Sequence, residues 1–293
     1  MELQGCGTAI VTPFTADGEI DDAALRRLVE WQIASGISLL VACGTTGETP
    51  TLDEQEWLRV IEIVVESAAG RVPVFAGCTH NSTREAVAKT RRACAVSGLT
   101  GLLSANPYYN KPTQEGQFQH FLAISDASHL PVLLYNIPGR SGVNLDPVTI
   151  ARLAEISNII GVKESSGNLQ QITEIITMVS PEFKVLAGDD NLALAILGAG
   201  GVGLVSVASN IIPAEMSAMI NAALDHDWDV ARRVNRKYYR LILGLFCEPN
   251  PIPVKCLLAM MGRITESYRL PMTSPTPATR ARMETLAIEL GLF

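Results

Sequence analysis

The chain has no C-x-x-C pair, no H-x-x-x-H spacing and no basic start followed by a long apolar stretch. Its six cysteines (Cys6, Cys43, Cys78, Cys94, Cys247 and Cys256) are scattered. In a chain of 293 residues without a signal peptide, they read as small buried hydrophobes in a reducing, cytoplasmic compartment. The four histidines (His80, His120, His129 and His226) offer no ligand set, so no structural metal is expected. Positive charge is scarce too: 23 Lys+Arg against 30 Asp+Glu leave a net −7. That balance argues against nucleic acid, which needs a clustered basic face, and against an anionic membrane surface. Charged residues make up only 18% and hydrophobic residues 47%, which excludes intrinsic disorder.

One uncharged stretch, Asn191–Ala214, is 24 residues long, enough to span a bilayer. It contains Gly198, Gly200, Gly201, Gly203 and Pro213 and lies inside a periodic pattern. It therefore reads as a buried helix, a turn and a buried strand.

Short apolar runs recur along the chain: Gly7–Val11, Ser38–Cys43, Val72–Gly77, Gly101–Ser104, Pro131–Tyr135, Ile159–Lys163, Lys184–Gly188 and Val202–Val207. They are continuously apolar rather than alternating, as strands of a parallel sheet buried on both faces would be. Amphipathic stretches separate them. Asp21-Asp22 opens one, and Thr51-Leu52-Asp53-Glu54 and Ser82-Thr83-Arg84-Glu85 read as capping boxes for two more. Further helices are expected over Thr113–Ala127, Asp146–Ile156, Asn168–Met178, Asn191–Leu197 and Pro213–Leu224. Eight strand-helix units in residues 1–224 predict a (β/α)₈ barrel of the α/β class. A doubly wound sheet is the alternative and usually has fewer strands. Residues 225–293 switch to helix only, with Trp228–Leu245, Pro251–Met261 and Thr276–Leu290. This C-terminal helical region reads as an appendage packed on the barrel or on a partner subunit.

Barrel active sites gather where the strands end. After the second run comes Gly44-Thr45-Thr46-Gly47-Glu48, where backbone amides and threonine hydroxyls can converge on a small anion. The fourth run leads to Asn106-Pro107-Tyr108-Tyr109-Asn110-Lys111-Pro112, a loop that presents two tyrosines; an interface anchor is the competing reading. The fifth ends at Tyr135, with Arg140 five residues on: a phenol that can relay protons and a guanidinium that can hold a carboxylate. The sixth ends at Lys163, one of only six lysines. A lysine closing an apolar strand is rarely buried without a reason, and desolvation would free its amine as a nucleophile. A salt bridge to Glu164 is the competing explanation. The seventh ends in Gly188-Asp189-Asp190, where glycine admits a ligand and the aspartates are candidates to cap the next helix.

Two patterns are decoys. Gly198–Gly203 fits G-x-G-x-x-G, but the helix precedes the strand, the reverse of a dinucleotide site. Asn81-Ser82-Thr83 is formally a glycosylation sequon, better explained by helix capping. Together the lysine, the tyrosine, the threonine loop and the arginine suggest Schiff-base chemistry on a keto acid. The protonated imine would then be the electron sink, so no cofactor and no metal is called for.

With these residues in place, the sequence closely resembles the dihydrodipicolinate synthase family. That family lies within the N-acetylneuraminate lyase superfamily of lysine-dependent class I aldolases. The resemblance covers essentially the whole chain, through GTTGE at 44–48, NPYYNKPTQEG at 106–116, YNIPGR at 135–140, GVKESSG at 161–167, AGDD at 187–190 and NPIPVK at 250–255. It implies that Lys163 captures pyruvate. It implies a proton relay of Tyr135, Thr45 and Tyr109, with Tyr109 crossing from a neighbouring subunit. Thr46 would bind the pyruvate carboxylate and Arg140 the carboxylate of L-aspartate 4-semialdehyde, while Gly188 and Val205 would line the pyruvate pocket. The implied product is 4-hydroxy-tetrahydrodipicolinate, on the route to diaminopimelate and lysine, and the implied assembly a homotetramer.

Feedback-inhibited members bind lysine at the dimer interface, where Asn81, Glu85 and Tyr108 match. Thr49-Pro50, Glu54 and Trp57 depart from that pattern, so weak or absent inhibition is expected. Two other readings stay open: a sugar-acid aldolase of the same superfamily, and a keto-acid-binding protein on a spent scaffold. Thr45-Thr46 with Arg140 weighs against the first, and the complete Lys163, Tyr135, Thr45 and Tyr109 set against the second.

Overall fold

A computed structural model describes residues 3–292. Eight parallel strands close into a barrel in sequence order, and each pairs with its chain neighbour, the last with the first. They are β1 (Gly5–Ala9), β2 (Leu39–Ala42), β3 (Val74–Gly77), β4 (Gly101–Ala105), β5 (Val132–Asn136), β6 (Ile159–Glu164), β7 (Lys184–Ala187) and β8 (Gly203–Ser206). The helices between and around them are α1 (Asp22–Ala34), α2 (Glu54–Ala68), α3 (Thr83–Cys94), α4 (Gln114–Asp126), α5 (Pro138–Ser141), α6 (Pro147–Ala154), α7 (Leu169–Met178), α8 (Ala193–Gly198) and α9 (Pro213–Leu224). The predicted (β/α)₈ barrel is therefore the architecture. The uncharged stretch at 191–214 forms α8, β8 and the first turn of α9, and among the described residues no helix is long and apolar enough to cross a membrane.

Alternation along each strand sorts the core into two clusters. Leu39 and Val41 of β2 join Ala9, Phe75, Leu103, Leu133, Leu186 and Val205 inside the barrel. Their neighbours Leu40 and Ala42 face the helices. The interior is filled by pairing large with absent side chains: a Cβ on Gly101 would lie 2.5 Å from the Phe75 ring. That packing closes the lower barrel and leaves its C-terminal mouth as the place where a ligand can enter.

Local signals account for most helix starts. The Asp21 side chain accepts from the Ala24 amide (2.9 Å) and caps α1, which buries Leu25, Leu28, Val29 and Gln32 on one stripe. Both expected capping boxes need correction. At α2 the reciprocal pair is Asp53 with Glu56, not Thr51 with Glu54, because the chain first makes a turn of 3₁₀-helix over Thr49–Thr51. At α3 Ser82 occupies the cap position without a side-chain bond. Glu85 instead pairs with Arg84.

Three helices follow the barrel: α10 (Trp228–Gly244), α11 (Ile252–Met260) and α12 (Pro277–Leu290). Leu241, Val254, Leu257, Leu258 and Met283 belong to the same buried cluster as the layer between barrel and helices. In α11 every residue from Ile252 to Leu258 is buried, Lys255 included. This segment therefore lies against the barrel itself, beside the turn that follows β8.

Candidate active site

Tyr135 and Lys163 occupy paired positions on β5 and β6, so both side chains point into the barrel. Lys163 is 5% exposed, and its ammonium nitrogen lies 4.3 Å from the centre of the Tyr135 ring. Burial pulls the lysine pKa down to about 8; Asp190 and Asp189 oppose that shift and Arg140 adds to it. Burial pushes the Tyr135 phenol well above its ordinary value. Glu164 does not pair with Lys163. As the next residue on the strand it faces the opposite side, where its carboxylate accepts from Asn136 Nδ2 (3.0 Å) and the Ser166 amide (2.7 Å). The lysine is thus an amine with no carboxylate partner within salt-bridge distance among the described residues, and it lines a pocket.

That pocket is a cavity of about 40 Å³ whose walls include Thr45, Thr46, Tyr135, Arg140, Lys163 and Gly188. Six residues from four strand ends meet there, as their positions predict. Gly188 is required by space. A Cβ at that position would stand 1.9 Å from Ser165 Oγ and 2.9 Å from Lys163 Cε. Val205 is buried in the barrel interior, while the wall of the cavity on that side is Val207.

The threonine loop is a tight turn: the Gly47 amide donates to Gly44 O and the Glu48 amide to Thr45 O (both 3.1 Å). Those two amides are thereby spent. The Thr45 and Thr46 amides donate to no carbonyl among the described residues. With the buried Thr46 hydroxyl they are the donors available to a small anion. Thr46 Oγ1 accepts from Asn250 Nδ2 (2.9 Å), and the Asn250 carbonyl accepts from Arg140 Nη2 (3.3 Å).

Tyr109 stands apart. It is 87% exposed and has a left-handed backbone (φ +75°), rare for a bulky side chain. It lines neither this cavity nor the larger one beside it. Tyr108 lines a second, larger cavity of about 520 Å³ that shares Gly44, Thr45, Tyr135 and Arg140 with the first. Thr49 and Pro50 also line it, whereas Asn81 and Glu85 lie outside its walls. Trp57 is fully buried beneath, its indole donating to Gly77 O (3.0 Å), with the Lys89 ammonium 4.8 Å from the ring centre.

Two neighbours, Ser165 and Asn250, escaped sequence reasoning, and the two aspartates after Gly188 serve otherwise than expected. Ser165 is buried, lies beside the Tyr135 phenol and the Asp189 carboxylate, yet closes no well-formed hydrogen bond. Its position two residues past Lys163 on the same strand face was the available signal. Asp189 does not cap a helix with its side chain but lines the cavity. Asp190 is not a side-chain cap either: it accepts from the Ser206 hydroxyl and the Val207 amide (3.0 Å). Asn250 opens the tail motif at 250–255, but nothing in its local sequence ties it to this cavity.

An amine with a lowered pKa at the mouth of a closed (β/α)₈ barrel, beside a phenol and an anion loop, can attack a ketone and hold the resulting imine. Fold and site together define a lysine-dependent, class I aldolase-type barrel. The model of the dihydrodipicolinate synthetase family matches residues 2–289, and the chain belongs to that family. A 4-hydroxy-tetrahydrodipicolinate synthase of Acidobacterium capsulatum is 60% identical over 100% of this chain and 97% of its own length. The chloride-inhibited dihydrodipicolinate synthase of Acinetobacter baumannii, complexed with pyruvate, superposes with a TM-score of 0.97 at 42% identity, covering 100% of both chains. The enzyme of Cyanidioschyzon merolae with lysine bound superposes with a TM-score of 0.96 at 39% identity, covering 99% of each.

Proposed function

We propose that this chain catalyses the reaction its relatives are named for: condensation of pyruvate with L-aspartate 4-semialdehyde to 4-hydroxy-tetrahydrodipicolinate. The observation that carries the reading is the Lys163 amine, buried and register-paired with Tyr135, in a cavity also walled by Thr45, Thr46 and Gly188.

Neutral Lys163 attacks the ketone carbon of pyruvate, and the carbinolamine loses one water to leave a protonated imine. The Thr45-Thr46 donors hold the pyruvate carboxylate. A methyl proton leaves and the imine nitrogen takes the electron pair, giving an enamine. The enamine carbon attacks the aldehyde, whose oxygen gains a proton and becomes the 4-hydroxyl. The substrate's own amine then adds to the imine carbon and expels Lys163, closing the ring without releasing a second water. Tyr135 moves the protons in these steps, with Thr45 and the Tyr109 hydroxyl of a second copy as the rest of the relay. Arg140, at the cavity edge, takes the carboxylate of the semialdehyde. Gly188 makes room for pyruvate, and Val205 packs beneath it. The exposure of Tyr109 supports a dimer as the smallest complete unit, and we propose a homotetramer of two such dimers. The barrel of residues 1–224 carries the chemistry and residues 225–293 brace it, in a cytoplasmic enzyme.

Thr45-Thr46 with Arg140 favours a short amino-aldehyde acid over a sugar acid. We further propose that L-lysine inhibits weakly or not at all. Trp57 occupies volume beneath the larger cavity, and the Lys89 ammonium over it repels a second cation. Borohydride reduction in the presence of pyruvate tests the core of the reading. One pyruvate-derived adduct on Lys163 by peptide mass spectrometry is expected, and folded protein without an adduct would refute it. Coupled assays with each aldehyde then identify the second substrate.

A further inference from the structure

The segment 250–255 touches the site in three places although it lies more than 100 residues away in sequence from each partner. Lys255 Nζ donates to Glu48 Oε1 (2.5 Å), and both side chains are sealed from solvent, at 0% and 1% exposure. Burial lowers the Lys255 pKa and the Glu48 carboxylate opposes that shift. The centre of the Phe14 ring lies 4.3 Å from the Lys255 ammonium and 4.3 Å from the Arg269 guanidinium. The second Glu48 oxygen accepts from the Arg269 amide (3.4 Å). Both oxygens of the carboxylate are therefore claimed by the tail.

A buried ion pair is weak support for stability, because desolvating two charges cancels most of their attraction. What it does provide is direction. Glu48 has a left-handed backbone (φ +52°) and its amide closes the turn on Thr45 O. Holding its carboxylate therefore holds the turn that carries Thr45 and Thr46. Asn250 works on the same loop from the other side. By donating to Thr46 Oγ1 it occupies a lone pair and turns the hydroxyl proton away from itself. Thr46 and Asn250 line the same small cavity, so that proton is available to an anion within it.

We infer that Lys255, through its ion pair with Glu48, is a positioning residue for the Thr45-Thr46 donors, and that Asn250 sets the direction of the Thr46 hydroxyl. The inference rests on the proposal that this loop receives the pyruvate carboxylate. A loop that has lost its brace binds the carboxylate less tightly, which raises the pyruvate KM. Loss of packing alone lowers the folded, active fraction, which lowers apparent kcat and leaves KM unchanged.

The test compares the full-length wild type with Glu48→Asp, Lys255→Met and the double variant Glu48→Met/Lys255→Met. The readouts are thermal midpoint, pyruvate KM, kcat, and imine trapped by borohydride at subsaturating pyruvate. The double variant refills the volume with apolar side chains. It is expected to recover the midpoint lost in Lys255→Met, yet to keep a pyruvate KM raised about fivefold or more. A double variant with a wild-type midpoint and a smaller rise in KM overturns the inference and leaves Lys255 as core filling. Should the double variant not fold, Glu48→Asp, which withdraws the carboxylate by one methylene, decides by the same limit. Wild-type protein that traps no pyruvate overturns the functional reading and this inference with it. Trapping in the wild type, with KM unmoved in the variants, overturns the inference alone.

Discussion

Tyr135 and Lys163 are register partners on β5 and β6, and the lysine amine rests 4.3 Å from the centre of the phenol ring. Parallel pairing makes both residues face the barrel interior, so the proposed nucleophile and proton carrier are set by the sheet rather than by a loop. Tyr135→Phe is expected to keep the fold and lose about 10²- to 10⁴-fold in kcat. Steady-state kinetics with a far-ultraviolet spectrum of the variant checks both halves.

Burial of Lys163 has a cost that pH reveals. Its pKa falls from 10.5 to about 8 in the folded state. Between those values the unfolded chain binds more protons, so stability rises with pH through that window; below about pH 8 the full penalty is present. Lys163→Met is therefore expected to be inactive but more stable at pH 7, by up to about 3 kcal/mol. The gap should close as pH approaches 10. Urea melts of both proteins at several pH values measure it, and a variant less stable than wild type at pH 7 would contradict the burial argument.

The same pKa governs reactivity. Only the neutral amine attacks pyruvate, so the rate of imine formation should climb about tenfold per pH unit below about 8 and flatten above it. Rapid-quench borohydride trapping at low pyruvate follows that step. A profile flat from pH 6 to about 9 would exclude Lys163 deprotonation as its control.

Gly188 is a spatial requirement. Gly188→Ala places a methyl group where Ser165 Oγ and the Lys163 chain already stand. A shift of about 1 Å in the amine is enough to cost about 100-fold in rate. Adding Ser165→Ala removes the tighter of the two clashes and should restore part of the loss. Kinetics of the two variants that leave the double no faster than Gly188→Ala would show that the lysine contact dominates.

Tyr109 tests the assembly. Tyr109→Phe and Lys163→Ala each break a site. If the phenol serves a neighbouring subunit, refolding the two variants together creates hybrid dimers with one complete site. About a quarter of wild-type activity is the statistical expectation for an equal mixture. Activity no greater than the sum of the parents would place Tyr109 outside the partner's site.

Lysine inhibition is predicted to be weak, with no half-inhibition below about a millimolar. Titration of initial rates with L-lysine checks it. If Trp57 and Lys89 are responsible, Trp57→His with Lys89→Ala should raise sensitivity.

Much of this molecule was legible along the chain because its units are local. A strand and the helix after it fit within about 35 residues, so apolar runs and caps repeat visibly. Lys163, Tyr135, Thr45 and Gly188 were legible for the same reason, since a strand's last residues lie at the mouth wherever the barrel closes. Errors fell at short range as well. The cap of α2 moved two residues because a 3₁₀ turn over Thr49–Thr51 intervened, and the turn residues Thr, Pro and Thr carry no strong preference between the two starts.

The sequence alone determined the eight-unit order and that Lys163 closes the sixth strand, because apolar runs and helix starts are local signals. Only the tertiary structure decided which face is inward, and with it that Lys163 has no carboxylate within salt-bridge distance among the described residues while Glu164 turns to Asn136 of the neighbouring strand. Only the tertiary structure brought Asn250 to Thr46 and Lys255 to Glu48, contacts spanning 204 and 207 residues. No periodicity connects such distant positions: they meet because the barrel closes and α11 packs beside the turn that follows β8.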